Sequence, residues 1–262
     1  MADDQGAAGV LGGKVALVTG AGRGIGRAFA ARLARLGATV VAADLAPAPP
    51  AEATARCHGV QVDVGDRAAV EAMVADAVGR FGRLDVLVCN AGILGDLTAG
   101  RASDPDDDEI DACLRVNLGG TINCCRAAAP HLREGGWGRV VTVSSLAAFR
   151  PFEGGLGAPY VIAKAAILGY TRSLAAELGR AGVTVNAIAP GSIDTPMTRS
   201  TFDDMDDAEA AGRLPLARHG RPEDCAGALD FLCTPASDYV TGQVIRVDGG
   251  MSITDALSGS GL

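Results

Sequence analysis

Lysine is nearly absent from this chain. Only Lys14 and Lys164 occur among 262 residues, and every other basic side chain is arginine. Aromatic residues make up only 4% of the sequence, so aliphatic side chains must build any core. No apolar run approaches the roughly 18 residues that cross a bilayer, which argues against a membrane span. Residues 1–10 lack the basic and apolar regions of a signal peptide and read as a disordered tail, so a cytoplasmic location is expected. Basic clusters are also missing. With a net charge of -8, the chain is a poor match for nucleic acid or an anionic membrane, and for an acidic carrier protein. The seven cysteines are odd in number and form no Cys-x-x-Cys pair, so neither a disulfide framework nor a zinc site is indicated. Three scattered histidines, His58, His131 and His219, have no ligand spacing, and no metal is expected.

What remains is a hydrophobic chain (48%) broken by glycine and proline into alternating short apolar runs and longer helical patterns. Strands are predicted at 14–19, 39–43, 59–62, 84–88, 139–143, 183–188 and 243–247. Helices are predicted at 25–36, 67–81, 110–132, 158–180 and 223–232. This alternation predicts a single-domain α/β fold over 11–262, a Rossmann-type doubly wound parallel sheet of about seven strands covered by helices on both faces. Two stretches, 93–109 and 190–215, resist assignment and are candidate substrate loops.

The first strand runs into Thr19-Gly20-Ala21-Gly22-Arg23-Gly24-Ile25-Gly26, and a helix follows. Strand, glycine turn and helix in that order form a phosphate cradle. The turn must be tight, the backbone must approach a pyrophosphate, and the helix N-terminus must face it. A Gly-Lys-Ser/Thr triphosphate loop is absent. Asp44, with Leu45 beside it, ends the second strand. A carboxylate there accepts ribose hydroxyls and repels a 2′-phosphate, which favours NAD over NADP. Arg23 pulls the other way, because a guanidinium in the turn could pair with that phosphate. Lys164 follows Tyr160 by four residues, so a helix would place both on one face. That pair serves either proton chemistry or an ordinary solvated surface.

Taken together, these motifs resemble the classical short-chain dehydrogenase/reductase family. The glycine turn fits its Thr-Gly-x-x-x-Gly-x-Gly form, and Cys89-Asn90-Ala91-Gly92 resembles its Asn-Asn-Ala-Gly element with Cys in first place. Val116-Asn117, Val143-Ser144-Ser145, Tyr160-x-x-x-Lys164 and Pro190-Gly191-Ser192-Ile193-Asp194-Thr195 follow in the family's order. So do Tyr239-Val240-Thr241-Gly242-Gln243 and Val247-Asp248-Gly249-Gly250, and the likeness spans about 11–251.

The resemblance implies hydride transfer between a nicotinamide and a secondary alcohol or ketone. Tyr160 would be the general acid/base and Lys164 its charge partner and ribose ligand. Ser145, rather than its neighbour Ser144, would bind the substrate oxygen. Asn117 would hold a water that relays protons. Asn90, Ala91, Gly92, Asp63, Val64, Pro190, Gly191, Ile193, Thr195 and Met197 would complete the cofactor site with Gly20, Gly24, Ile25 and Gly26. Leu94, Leu146, Phe152, Ser192 and Phe202 would line a largely apolar substrate pocket, with Ile93 and Phe149 nearby. A homotetramer paired through its long helices is also implied. A cation about 4 Å from the phenol is worth about 4 kcal/mol at an effective dielectric near 20. That would lower the tyrosine pKa by up to about 3. The stretch from Ser145 to Tyr160 is longer than usual for the family, and is either a pocket wall or a surface bulge. Two other readings stay open, an NADPH-dependent 3-ketoacyl reductase and a non-catalytic nucleotide sensor on the same fold; a nucleotide-sugar epimerase fits less well, because the chain is short for the extra substrate domain and the glycine pattern would differ.

Overall fold

The structure is a computed structural model, and its described residues are 9–46, 55–202 and 214–253. Residues 1–8, most of the expected tail, therefore lie outside the described residues. Chain order begins with β1 (Val15–Thr19), α1 (Gly24–Arg35), β2 (Thr39–Asp44), β3 (Cys57–Gln61), α2 (Arg67–Phe81) and β4 (Val86–Cys89). A small antiparallel hairpin, β5 (Gly100–Arg101) and β6 (Asp104–Pro105), leads to α3 (Asp107–Cys113). Then come α4 (Gly120–Glu134), β7 (Gly138–Val143), α5 (Ala158–Leu178) and β8 (Val183–Pro190). The last elements are α6 (Pro196–Phe202), α7 (Pro222–Cys233) and β9 (Val244–Val247).

Seven strands form one parallel sheet in the order β3-β2-β1-β4-β7-β8-β9. Successive side chains of a strand point to opposite faces, and the two cores divide accordingly. Val15 and Leu17 pack with α2, α4 and α5, including Val70, Leu132 and Leu178. Ala16 and Val18 pack with α1 and α7, including Phe29, Leu33 and Leu229. The chain leaves β1 for β2 on one side and returns to β4 on the other. This reversal opens a crevice at the carboxyl ends of β1 and β4, where open α/β sheets bind ligands.

Two expectations change here. The long helix expected at 110–132 is α3 and α4 joined by a π-helical turn, Leu114–Gly119, which contains Asn117. Single π turns of this kind often sit at functional sites. The acidic run from Asp104 caps α3. The Asp106 carboxylate accepts from the Glu109 N–H at 3.0 Å, and three acids occupy the first helical turn, where the helix dipole favours them. Residues 203–213 of the second unassigned stretch lie outside the described residues.

Lys14 does more than open a strand. It donates to Asp85 at 3.1 Å and lies 4.2 Å from the Trp137 ring centroid. Asp85 is 1% exposed and also accepts from the Val15 N–H at 3.0 Å and from Arg83 Nε at 2.7 Å. Burial opposes ionisation of Asp85, but the Arg83, Val15 and Lys14 donors outweigh it and hold the pKa below the usual 3.8. The stability from this lowered pKa is therefore present above that value and is lost as pH falls through the folded one. Removing one partner of a buried ion pair costs about 3 kcal/mol or more. Asp85→Ala is expected to lower the unfolding free energy by about that amount in urea titration, and Lys14→Ala by about 1 kcal/mol or less. Equal losses in the two variants would contradict this account.

Candidate active site

The glycine turn is held against the end of β4 by side chains. Thr19 Oγ1 accepts from the N–H groups of Asn90 and Ala91, each at 3.1 Å. Asn90 Nδ2 returns donors to the carbonyls of Thr19 at 3.0 Å and Gly20 at 3.2 Å. No side chain fits between these segments. A Cβ on Gly26 would sit 2.0 Å from the Gly20 carbonyl oxygen, and one on Gly20 would sit 2.8 Å from Ala91 Cα. Gly20 also has φ +65°, a left-handed conformation that favours glycine. The start of α1, with no acidic residue in its first turn, faces the resulting hollow.

The cleft is about 360 Å³ and runs from the end of β2 to α5. Gly20, Arg23, Gly24, Ile25, Asp44, Leu45, Asp63, Val64, Asn90, Ala91 and Gly92 line one part of it. Ser145, Tyr160, Lys164, Pro190, Gly191, Ile193, Thr195 and Met197 line the other, with Asn117 between. Asp44 accepts from the Gly22 N–H at 2.8 Å and the Ala46 N–H at 3.2 Å, which fixes its carboxylate at the rim. Asp63 is turned inward on its own loop, accepting from the Gly65 N–H at 2.8 Å and from Arg115 at 3.0 Å. Only the fold brings Arg115 to Asp63, so no local pattern could mark it.

Lys164 is 5% exposed, which rules out a solvated surface lysine. Its ammonium donates to the Val143 carbonyl at 3.0 Å and lies 5.6 Å from the Tyr160 ring centroid, on the expected shared face of α5. The helix enters through Gly157, at φ +58°, with a proline in its first turn. The two serines divide their tasks. The buried Ser144 donates to the Lys164 carbonyl at 2.8 Å and ties β7 to α5. Ser145 accepts from the Ala147 N–H at 3.1 Å and hydrogen-bonds Tyr160. Asn117 is buried and its amide closes both ways on Ile93, accepting from the N–H at 3.1 Å and donating to the carbonyl at 3.0 Å. Its side chain therefore shapes the floor of the cleft.

The expected lowering of the tyrosine pKa is reversed. Burial pushes Tyr160 up, against the lowering effect of the Ser145 hydrogen bond. Burial also pulls Lys164 down to about 8. The cause is burial, which the pairing assumed from sequence left out, and the ammonium is bonded to the Val143 carbonyl.

Several expected residues stand elsewhere. Gly26 supports the turn from behind. Leu94, Leu146, Phe152 and Ser192 do not line the cleft. Phe202 ends α6, and its side chain is outside the described residues. Ser192 instead meets His219, its Oγ 2.7 Å from Nδ1. Phe152 stands beside the tyrosine, ring centroids 6.4 Å apart. The long stretch before Tyr160 is docked on the β5–β6 hairpin region. Ala102 N–H donates to Gly155 at 3.1 Å and Gly157 N–H to Leu97 at 3.0 Å. Thr198, also missed, lines the cleft and donates from Oγ1 to the Ile193 carbonyl at 2.7 Å. The Thr-x-x-Thr spacing from Thr195 was its one visible signal.

Comparison with known proteins agrees with this geometry. Residues 20–252 match the family model described as enoyl-(acyl carrier protein) reductase. The chain is 44% identical to cyclohexanol dehydrogenase of Rhodococcus sp., covering 92% of this chain and 97% of that one. It is 38% identical to the 3-oxoacyl-[acyl-carrier-protein] reductase FabG of Thermotoga maritima, covering 93% and 99%. The crystal structure of levodione reductase superposes with a TM-score of 0.86 at 32% identity, over 93% of this chain and 99% of that one. With its parallel sheet, its glycine cradle and its serine, tyrosine and lysine on one cleft, this chain belongs to the short-chain dehydrogenase/reductase family, whose members use an NAD(P) nucleotide and act on CH–OH groups.

Proposed function

We propose that this protein is an NAD-dependent dehydrogenase that interconverts a secondary alcohol and a ketone on a neutral, largely apolar small molecule. The observation that carries this reading is the meeting of Ser145, Tyr160 and Lys164 with the glycine cradle in one cleft. Among the described cleft residues, Arg23, Asp44, Asp63 and Arg115 gather at the nucleotide end. Lys164 is the one charged group beside Tyr160, and it is already bonded to Val143. Among the described residues, that end offers no further charge to hold a carboxylate or phosphate on the substrate. The likeness to a protein named cyclohexanol dehydrogenase supports the same class.

The residues present fit a dinucleotide. The glycine turn, with Gly20 and Gly24 both at positive φ and both lining the cleft, and the start of α1 suit the pyrophosphate. Asp44 would accept the adenine ribose hydroxyls, and Lys164 those of the nicotinamide ribose. Ile193, Thr195 and Met197 would hold the nicotinamide itself, which when bound gives or takes the hydride at the substrate carbon. In ketone reduction, Tyr160 and Ser145 both donate hydrogen bonds to the carbonyl oxygen, and the Tyr160 proton passes to it as negative charge develops. In alcohol oxidation the same proton returns to Tyr160, which must then be ionised.

Burial keeps Tyr160 protonated and Lys164, at about 8, mostly charged through neutral pH. This resting state suits reduction. Oxidation draws on the phenolate, whose pKa burial holds above the usual 10.0, so its kcat/KM is expected to keep rising with pH up to about that value. Tyr160→Phe is expected to lose about a thousandfold or more in turnover while binding NAD as the wild type does. A flat oxidation profile, or a Tyr160→Phe variant at wild-type rate, would refute the mechanism.

A second reading, an NADPH-dependent 3-oxoacyl reductase, draws on the exposed Arg23 at the cleft and on the likeness to FabG. Binding titration should show NAD preferred over NADP by about tenfold or more, about 1.4 kcal/mol, with Asp44→Ala erasing the difference. Preference for NADP in the wild type would move the assignment to this second reading.

We also place the protein in the cytoplasm as a homotetramer that binds neither nucleic acid nor membrane. Six cysteines are buried thiols, which suits a reducing compartment. Ala165 and Gly169 are small and exposed on α5, which lets a partner helix approach, and the exposed apolar Ile162 lies beside them. Light scattering is expected to give four chains, and the mass of one chain would overturn this.

A further inference from the structure

Between β8 and α6 the chain alternates. Gly191, Ile193 and Thr195 line the cleft, while Ser192 and Asp194 do not. Ser192 is therefore the outer face of the segment assigned above to the nicotinamide. It meets the turn before α7, and that contact is built from both main-chain and side-chain bonds. The Gly220 N–H donates to the Ser192 carbonyl at 2.9 Å, and the Asp194 N–H to the Gly220 carbonyl at 2.8 Å. These two bonds pair Ile193 with Gly220 as a parallel bridge. A Cβ on Gly220 would fall 2.4 Å from Ile193 Cδ1, so the two strands touch closely. To this main-chain pairing the Ser192–His219 bond adds a side-chain link of 2.7 Å.

The far side of that link is fixed to the fold. Arg218 donates to both Asp224 oxygens, at 2.7 and 3.1 Å, and to the His219 carbonyl at 3.0 Å. Asp224 lies in the first turn of α7 and also accepts from the Arg221 N–H at 2.7 Å. Buried α7 residues such as Leu229 belong to the core against α1. The order of attachment thus runs from core to α7, to Arg218 and His219, to Ser192, and so to the residues that face the cleft.

We infer that His219 is a positioning residue for the cofactor: through Ser192 it holds the backbone of 190–195 at the wall of the cleft. It does not touch the reacting atoms. This rests on the proposed dinucleotide site. Its expected signature is a loss of nucleotide affinity with little change in the chemical step. The link is one hydrogen bond, so the effect is about fivefold.

The test compares three variants of the full-length protein. His219→Leu removes the polar partner and is expected to raise the KM and Kd for NAD about fivefold, with kcat within about twofold. His219→Asn carries a polar atom on Cγ, where Nδ1 is attached, and is expected to restore wild-type affinity. Ser192→Ala should match His219→Leu, and the double variant should lose no more than either single one. If His219→Leu proves unstable, the smaller Ser192→Ala change carries the same comparison. Unchanged affinity in both single variants, additive losses in the double, or failure of Asn to rescue would overturn the inference alone. A wild type that binds neither NAD nor NADP would overturn the functional reading, and this inference with it.

Discussion

The chemistry of this protein depends on the closeness of two chain segments, the end of β1 and the end of β4. Four hydrogen bonds between Thr19, Gly20, Asn90 and Ala91 hold them together. Side chains are excluded from Gly20 and Gly26 because the backbones are already in contact. That contact aims α1 into the cleft and sets the height of Gly92. Gly92 in turn packs against Asn117 and Lys164, where a Cβ would fall 2.4 Å from Asn117 Oδ1. The phosphate end and the proton-transfer end are therefore built on one scaffold, and a shift at the glycine turn would pass directly to the lysine.

Burying Lys164 is costly, and the protein offsets the cost with one carbonyl bond and a contact with the tyrosine ring. The result is a lysine near its titration point and a tyrosine held neutral.

Much of this was legible in the sequence, and for physical reasons. The inner parallel strands are buried on both faces, so they read as short apolar runs. The glycine turn is legible because sterics demand glycine there, and the Tyr160–Lys164 spacing because a helix imposes it. Other features depend on contacts between distant residues. Asn117 looked like part of one long helix, but its amide prefers the Ile93 backbone and the helix widens into a π turn. Ser192 looked like a pocket residue because its neighbours are, yet extended chain alternates and turns it outward to His219. Lys14 carried no motif at all, and its meaning comes from Asp85, 71 residues away.

That same corner holds the chain's single tryptophan. Lys14 and Arg139 lie 4.2 and 4.1 Å from the Trp137 ring centroid, at the amino ends of the strands. The site occupies the carboxyl ends, roughly 20 Å along β7 at about 3.3 Å per residue. Two cations beside one indole give its emission an environment that exists only while the base of the sheet is intact. Trp137 is thus a built-in optical reporter of folding, set apart from the cleft where ligands come and go.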